Sequence, residues 1–399
     1  MRTLVILRGA PGSGKSSWVR HWGLQPYTLC ADSIRELFES PVMDDERGMF
    51  QLSQKNDAAV WKLLFDLLEQ RMIRGELCVV DATHCRPKDF SKYKDLMEKY
   101  RYRGYCVSFE DVSIEKCKIQ NTMRPEYKQV PESVIDVMYA RMKAFPVPTY
   151  FKCVSRSDED AISGIVEKFS STNVDGYSKV VVFGDIHGCW EPMREYFDAS
   201  PFDDRSLYVF TGDYIDRGIQ NDKVVEWLLE HYEKKNVILL EGNHEKWLTE
   251  YANEEYDEEI KAGKKDKCKS GEFFDRTIPQ LEKFDKKDLR QLCRRFRALA
   301  FLEYDGRKYL ISHAGVGFVP QDIVKVKAQT FIKGNGRYED PVDQWFEQHE
   351  CERSPSLIQI HAHRNVNNIP VKASKNSYNL CDTIEFGGNL RILEITKNA

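Results

Sequence analysis

The chain has 399 residues, 41% hydrophobic and 31% charged, with a formal net charge of −4. Such a length points to two domains rather than one core. No apolar run reaches the about 18 residues a membrane span needs, and no strongly basic field is present, so composition excludes a membrane-spanning helix and does not by itself argue for nucleic-acid binding. Eleven cysteines, an odd number without CxxC pairs, read as free thiols of a reducing compartment, so the expected location is cytoplasmic. The charge divides unevenly: the N-terminal part is near neutral and the acidic excess lies in the C-terminal part.

In chain order, "TLVILRG" reads as a first β-strand rather than a signal peptide, and "SGKSSWVRHW" opens a helix. "AAVWKLLFDLLEQRMI" has helical periodicity, "ELCVVDA" and "YCVSFED" are buried strands, and "PESVIDVMYARMKAF" is a helix with Pro at its start. Strands alternating with helices predict an α/β domain with a parallel sheet over residues 1–152. The Ser, Asp and Gly clusters of 153–178 predict a linker with room for one helix. From Lys179 a second α/β domain, 179–399, is expected. "KVVVFGD", "SLYVFTGD", "NVILLEGN", "KYLISHAG" and "SLIQIHAH" are short apolar strands that each deliver polar residues at their end. A charged stretch at 246–300 predicts a helical insertion with a solvated face.

Between the first strand and first helix, Gly9-Ala10-Pro11-Gly12-Ser13-Gly14-Lys15-Ser16 fits G-x-x-x-x-G-K-[ST]. Gly9, Gly12 and Gly14, with Ser13, let backbone N–H groups turn toward phosphate oxygens. Lys15 can reach the outer phosphates of ATP, and Ser16 can hold Mg²⁺. "CADSIRELF" places Asp32 and Arg35 on one helix face, where a carboxylate can accept a proton from an attacking hydroxyl. Asp81 ends a strand, where it can bind Mg²⁺ or position a substrate, and Arg124 precedes a helix as a lid arginine would. This order of motifs resembles the 5′-hydroxyl polynucleotide kinase module of phage and bacterial nucleic-acid end-healing enzymes, over residues 1–145. The resemblance implies ATP phosphates and metal on Lys15 and Ser16, Asp32 as general base and Arg35 as clamp on the substrate phosphate. It also implies Asp81 in the acceptor site and Arg124 on the ATP phosphates.

The second half concentrates histidine. Asp185 and His187 lie at i and i+2 after one strand, so both point to one side. "TGDYIDRG" offers Asp213, Asp216 and Arg217; "EGNHE" offers Asn243 and His244; "SHAG" offers His313; "HAH" offers His361 and His363. Five of the nine histidines fall in these motifs, whereas His21, His84, His231 and His349 read as structural. Carboxylate, amide and imidazole ligands converging from strand ends suit two divalent ions of the Mn, Fe or Zn kind. Asp213 is the natural bridge, Arg217 a two-pronged phosphate clamp and His244 the acid for the leaving oxygen.

D-x-H, G-D-x-x-D-R-G, G-N-H-E and a late His resemble the calcineurin-like metallophosphoesterases of the phosphoprotein-phosphatase type, over residues 179–396. The resemblance implies Asp185 and His187 on the first metal, Asp213 bridging, and Asn243, His313 and a late histidine on the second, with manganese as the expected pair. It leaves open whether His363 alone or His361 as well is that ligand, and places Asp382 of "CDTIEFGG" beside it. One half adds phosphate to a hydroxyl and the other removes it from an ester. The domain order resembles the kinase and phosphatase halves of polynucleotide kinase-phosphatase-ligase proteins. The implied function is healing of 5′-hydroxyl and 3′-phosphate or 2′,3′-cyclic phosphate ends. The expected partners are nucleic-acid ends, RNA before DNA, and a separate ligase. The competing expectation is a signalling enzyme that hydrolyses phosphoproteins or dinucleoside polyphosphates, fused to a small-molecule kinase.

Overall fold

The computed structural model describes residues 2–264, 270–365 and 368–397. The chain divides into two compact units. The first runs to Phe169 and takes in Asp322–Ala328; the second holds Ser170–Gln321 and the residues from Gln329 onward. Both are α/β, as the alternating pattern predicts.

In the first unit, β1 (Thr3–Arg8), β2 (Thr28–Cys30), a small hairpin of β3 (Val42–Asp44) and β4 (Met49–Gln51), β5 (Cys78–Asp81), β6 (Arg103–Ser108) and β7 (Phe151–Ser155) follow in order. The main sheet has the order β2-β5-β1-β6-β7, and every pairing in it is parallel. Each residue of β1 is buried, because helices cover both faces of a parallel sheet and leave no room for polar alternation. Leu4 and Ile6 meet Val60, Leu64, Leu68 and Met72, which recur every fourth residue along the helix Asp57–Ile73. Val5 and Leu7 face the opposite way, toward Trp18, Val19 and Ile135. Parallel pairing aligns the carboxyl ends of β1, β2 and β5, with Leu7 and Cys30 both in register with Asp81. Three motifs distant in sequence therefore share one sheet edge.

The stretch expected as linker is for the most part ordered into this unit. Cys153 lies within β7, in register with Cys106. Asp158, one of the acidic residues that suggested a loop, caps the helix Glu159–Val166 by accepting the Ala161 N–H at 3.0 Å. Ile162, Ile165 and Val166 of that helix enter the core. A strand and a capped helix written in Ser and Asp look like linker until their apolar positions find a partner.

In the second unit, β8 (Thr172–Asn173), β9 (Lys179–Phe183), β10 (Ser206–Phe210), β11 (Val237–Leu239), β12 (Leu299–Tyr304), β13 (Arg307–Ser312), β14 (Leu357–His361), β15 (Ser377–Asn379) and β16 (Ile392–Thr396) build two sheets. Their orders are β11-β10-β9-β16 and β15-β14-β13-β12-β8. Side chains alternate. Val180, Val182, Leu207 and Val209 share an apolar layer with Leu302, Ile311 and Ile360 of the other sheet. Val181, Phe183, Tyr208 and Phe210 instead pack with Val224, Leu228, Leu248 and Leu289 of helices. The expected insertion at 246–300 is helical where described, with Glu245–Ala252, Asp257–Ala262, Ile278–Leu281 and Lys286–Cys293; residues 265–269 of it lie outside the described residues. Among the described residues no helix is long and apolar enough to cross a membrane.

Candidate active sites

At the carboxyl edge of the first sheet, Gly12 and Gly14 take φ of +78° and +92°, which favours glycine. A Cβ at Gly12 would stand 2.1 Å from the Cys117 carbonyl oxygen, so the loop can lie this close only without a side chain. Lys15 Nζ donates to the carbonyls of Gly9 at 2.9 Å and Ala10 at 3.1 Å, and burial lowers its pKa against the opposing pull of Asp81. Ser16 Oγ donates to Asp81 Oδ2 at 2.9 Å. A hydroxyl and a carboxylate side by side are the hard oxygen donors that Mg²⁺ takes next to phosphate. Asp81 thus stands beside Ser16, the serine expected to hold Mg²⁺.

Asp32 begins the helix Ala31–Phe38 and lies between two guanidinium groups. Arg35 Nη1 donates to its Oδ1 at 2.9 Å, and Arg124 Nη2 to its Oδ2 at 3.4 Å. The second contact joins residues 92 apart in sequence, and it brings Arg124, expected on the ATP phosphates, beside the acceptor-side Asp32 and Arg35. Arg35 also pairs with Asp57, at the start of the next long helix. Asp57 carries no motif; its only sequence signal is a carboxylate at the first position of a strongly periodic helix.

In the second unit the strand ends turn sharply. His187, Asp213, Asp216, Arg217 and His363 all have φ between +46° and +77°. Such backbone costs about 1 kcal/mol or more per residue and persists where surrounding bonds over-determine it. Glu245 supplies several of those bonds. Buried within the helix that follows His244, its carboxylate accepts the N–H groups of Asp213, Tyr214 and Gly242 at 2.7–2.9 Å. Burial first, and then the Asp213 charge, push Glu245 up to about 8. Gly242 sits so close that a Cβ there would meet Asp213 Oδ1 at 2.2 Å.

These turns bring ligand atoms of His187, Asp213 and His244 within 4.8 Å of one another, and likewise those of Asp213, His313 and His363. Asp213 belongs to both groups, as a bridging carboxylate must. His313 Nε2 lies 3.2 Å from Asp213 Oδ2 and 3.2 Å from Asn243 Oδ1, and its Nδ1 lies 3.5 Å from Asp185 Oδ1. Asp185 Oδ2 accepts the His363 N–H at 3.0 Å, while its Oδ1 is buried without a hydrogen bond. Electrostatics agree with a site for cations. Burial opposes ionisation of Asp213, yet the imidazoles of His313 and His244 hold it well below the usual carboxylate range. Burial likewise opposes charge on His313, but Asp213 and Asp185 raise it to about 9. Carboxylates gathered out of water draw positive charge, which two divalent ions on these residues would supply.

Of the two late histidines, His363 is the one that stands in the cluster with Asp213 and His313. His361 is engaged elsewhere: its Nε2 meets Asp343 Oδ1 at 2.9 Å and its Nδ1 the Ala362 carbonyl at 2.9 Å. The shift of two residues along a strand end separates an inward structural histidine from one turned by positive φ into the cluster. His244 Nδ1 bonds to Asp216 Oδ2 at 2.8 Å. Burial would lower its pKa, but Asp213 and Asp216 together raise it. Asp382, expected beside the late histidine, is bonded within its own segment. Arg391 holds it at 2.6 Å and the Asn389 N–H at 3.0 Å. The nearby carboxylate that reaches the cluster is Glu385, 3.9 Å from His187 Nε2 and paired with Arg217. Three of the histidines read as structural are indeed bonded to backbone: His84 to Leu7, His231 to Trp227 and His349 to Gly317.

The sequence profile of the calcineurin-like phosphoesterases matches residues 178–390, over half of the chain. A profile described as an AAA domain matches residues 4–145. The symmetrical bis(5′-nucleosyl)-tetraphosphatase of Buchnera aphidicola is 33% identical over 134 residues, 33% of this chain and 42% of that protein. Serine/threonine-protein phosphatase T of Aspergillus oryzae is 24% identical over 224 residues, 52% of this chain and 41% of that protein. The chain thus spans about two fifths of the length of the curated relatives it matches. Among solved structures, a serine/threonine phosphatase from Saccharomyces cerevisiae is similar at 17% identity and a TM-score of 0.33, covering 56% of this chain and 73% of that one.

Proposed function

Since the chain belongs to the calcineurin-like phosphoesterase family, we propose that it is a bifunctional enzyme that heals broken nucleic-acid ends, adding phosphate to a 5′-hydroxyl and removing a 3′-phosphate or 2′,3′-cyclic phosphate. The observation that carries this reading is the pairing, in one chain, of an acceptor-side Asp32 held between Arg35 and Arg124 with a convergent Asp213-centred ligand set. Opposite phosphate chemistries on one small molecule would cancel; on two ends of one polymer they cooperate. RNA is the favoured polymer, and a separate ligase would consume the product.

In the first unit Lys15 and Arg124 hold the outer phosphates of ATP. Ser16 and Asp81 are the residues that would hold Mg²⁺, which supplies neutralisation of the charge that develops on the transferring group. Asp32 accepts the proton of the 5′-hydroxyl, and Arg35 orients Asp32 and holds the substrate phosphate. In the second unit Asp185, His187, Asp213, Asn243, His313 and His363 would hold two divalent ions, manganese as the proposed pair. When bound, such a pair activates water and clamps the phosphoryl group. Arg217 holds the phosphate oxygens, and His244, kept in orientation by Asp216, gives a proton to the leaving oxygen.

A second reading has support in the relatives: hydrolysis of dinucleoside polyphosphates or phosphoproteins. The test supplies diadenosine tetraphosphate, a phosphopeptide and an RNA bearing 5′-hydroxyl and 3′-phosphate ends, each with ATP, Mg²⁺ and Mn²⁺. End healing predicts phosphorylation at 5′ and release at 3′ on the RNA. Turnover of the other two with both RNA ends untouched selects the second reading.

A further inference from the structure

Glu385, within "CDTIEFGG", is a carboxylate at the phosphoesterase site to which the resemblance assigns no role. It lies in the short turn Ile384–Phe386, launched by Thr383 at φ +50°. Its side chain is only 3% exposed. Oε1 accepts from Arg217 Nη1 and lies 3.9 Å from His187 Nε2, and Oε2 is buried with no hydrogen-bond partner. The Arg217 guanidinium carbon stands 6.0 Å from the centroid of the Phe386 ring, which is itself 77% exposed. The Arg217 guanidinium, proposed to hold phosphate, is therefore clamped on a buried carboxylate that offsets its charge.

Charge arithmetic follows. A phosphodiester brings one negative charge to the site and a phosphomonoester two. The second charge would lie near a carboxylate that is shielded from water and already paired with Arg217. Repulsion between unit charges several ångströms apart in such surroundings is large enough to control selectivity. We infer that Glu385 is a specificity-determining residue that biases the site toward a singly charged phosphodiester, the 2′,3′-cyclic phosphate at a broken RNA end, over a doubly charged monoester. The inference rests on the phosphoesterase reading above. In the favoured step the water oxygen bonds to phosphorus and the bond from phosphorus to one ribose oxygen breaks. That oxygen takes a proton from His244, the water releases one, and a ribose phosphomonoester remains.

The test compares bis(p-nitrophenyl) phosphate with p-nitrophenyl phosphate on the full chain with Mn²⁺, for wild type, Glu385→Gln and Glu385→Asp. Glu385→Gln should shift kcat/KM toward the monoester by about tenfold or more, chiefly through KM. Calorimetric titration of inorganic phosphate into the metal-loaded protein should show tightening in the same proportion. Glu385→Asp keeps the charge and should leave the diester-to-monoester ratio unchanged even if both rates fall. An equal change for both substrates in Glu385→Gln, complete loss of both included, with no tightening of phosphate, overturns the inference and leaves a structural role. A wild type that hydrolyses neither substrate overturns the phosphoesterase reading beneath it.

Discussion

The two units gather charge by opposite means. The first brings its own positive charge, with Lys15, Arg35 and Arg124 at one sheet edge and glycines admitting backbone N–H groups. The second gathers Asp185, Asp213, Asn243 and buried imidazoles into a pocket whose carboxylates pull histidines toward protonation. The first should therefore keep its fold with or without metal, whereas the second lacks its counter-charge until metal binds.

The largest expected break falls on the bridge. Asp213→Ala should lower phosphoesterase activity about a thousandfold or more, because it removes the carboxylate common to both ligand groups, and leave 5′-kinase activity intact. Separate assays of each activity check this. Lys15→Ala should reverse the pattern, with kinase activity down roughly 10²–10³-fold and phosphoesterase activity retained. Gly12→Ala sharpens the same point without touching charge. Its methyl group meets the Cys117 carbonyl and its φ is +78°, so ATP affinity should fall and the first unit lose about 1–3 kcal/mol. Denaturant titration with a nucleotide-binding assay reads both.

Chelation tests the electrostatic contrast. Removing divalent metal should lower the melting temperature of the second unit and leave that of the first unchanged, giving two resolved transitions by calorimetry. The smallest effect is expected at the cap of the Glu159–Val166 helix. Asp158→Ala should cost about 1 kcal/mol in the first unit and nothing in the second, so the same calorimetry checks whether this segment belongs to the kinase-like fold.

Much of both sites was legible because parallel strands collect their carboxyl ends on one edge. Asp32, Asp81 and the glycine loop needed only that rule to meet, and so did Asp185, Asp213 and Asn243. What escaped was what acts through distance or through the other partner. Asp57 is an ordinary carboxylate in sequence and Glu385 a member of "CDTIEFGG" with no assigned role, and each gains meaning only by reaching an arginine brought by folding. Glu245 stood within a quoted motif, yet its work is to hold backbone N–H groups, which no residue pattern displays. The choice between His361 and His363 was open because both stand in "HAH"; His363, at positive φ, lies in the cluster, and His361 is tied to Asp343, a residue outside every motif. The segment 153–169, expected as linker with room for one helix, does hold that helix and the end of a strand, and its place in the first unit was not legible because polar caps and short apolar pairs look the same in a linker as at the rim of a domain.

The most direct measurement uses one short RNA with a 5′-hydroxyl and a 3′-phosphate, incubated with ATP, Mg²⁺ and Mn²⁺, with both ends followed. Wild type should heal both ends, Asp32→Ala only the 3′ end and His187→Ala only the 5′ end. If neither end changes while diadenosine tetraphosphate or a phosphopeptide is hydrolysed, the end-healing account is contradicted.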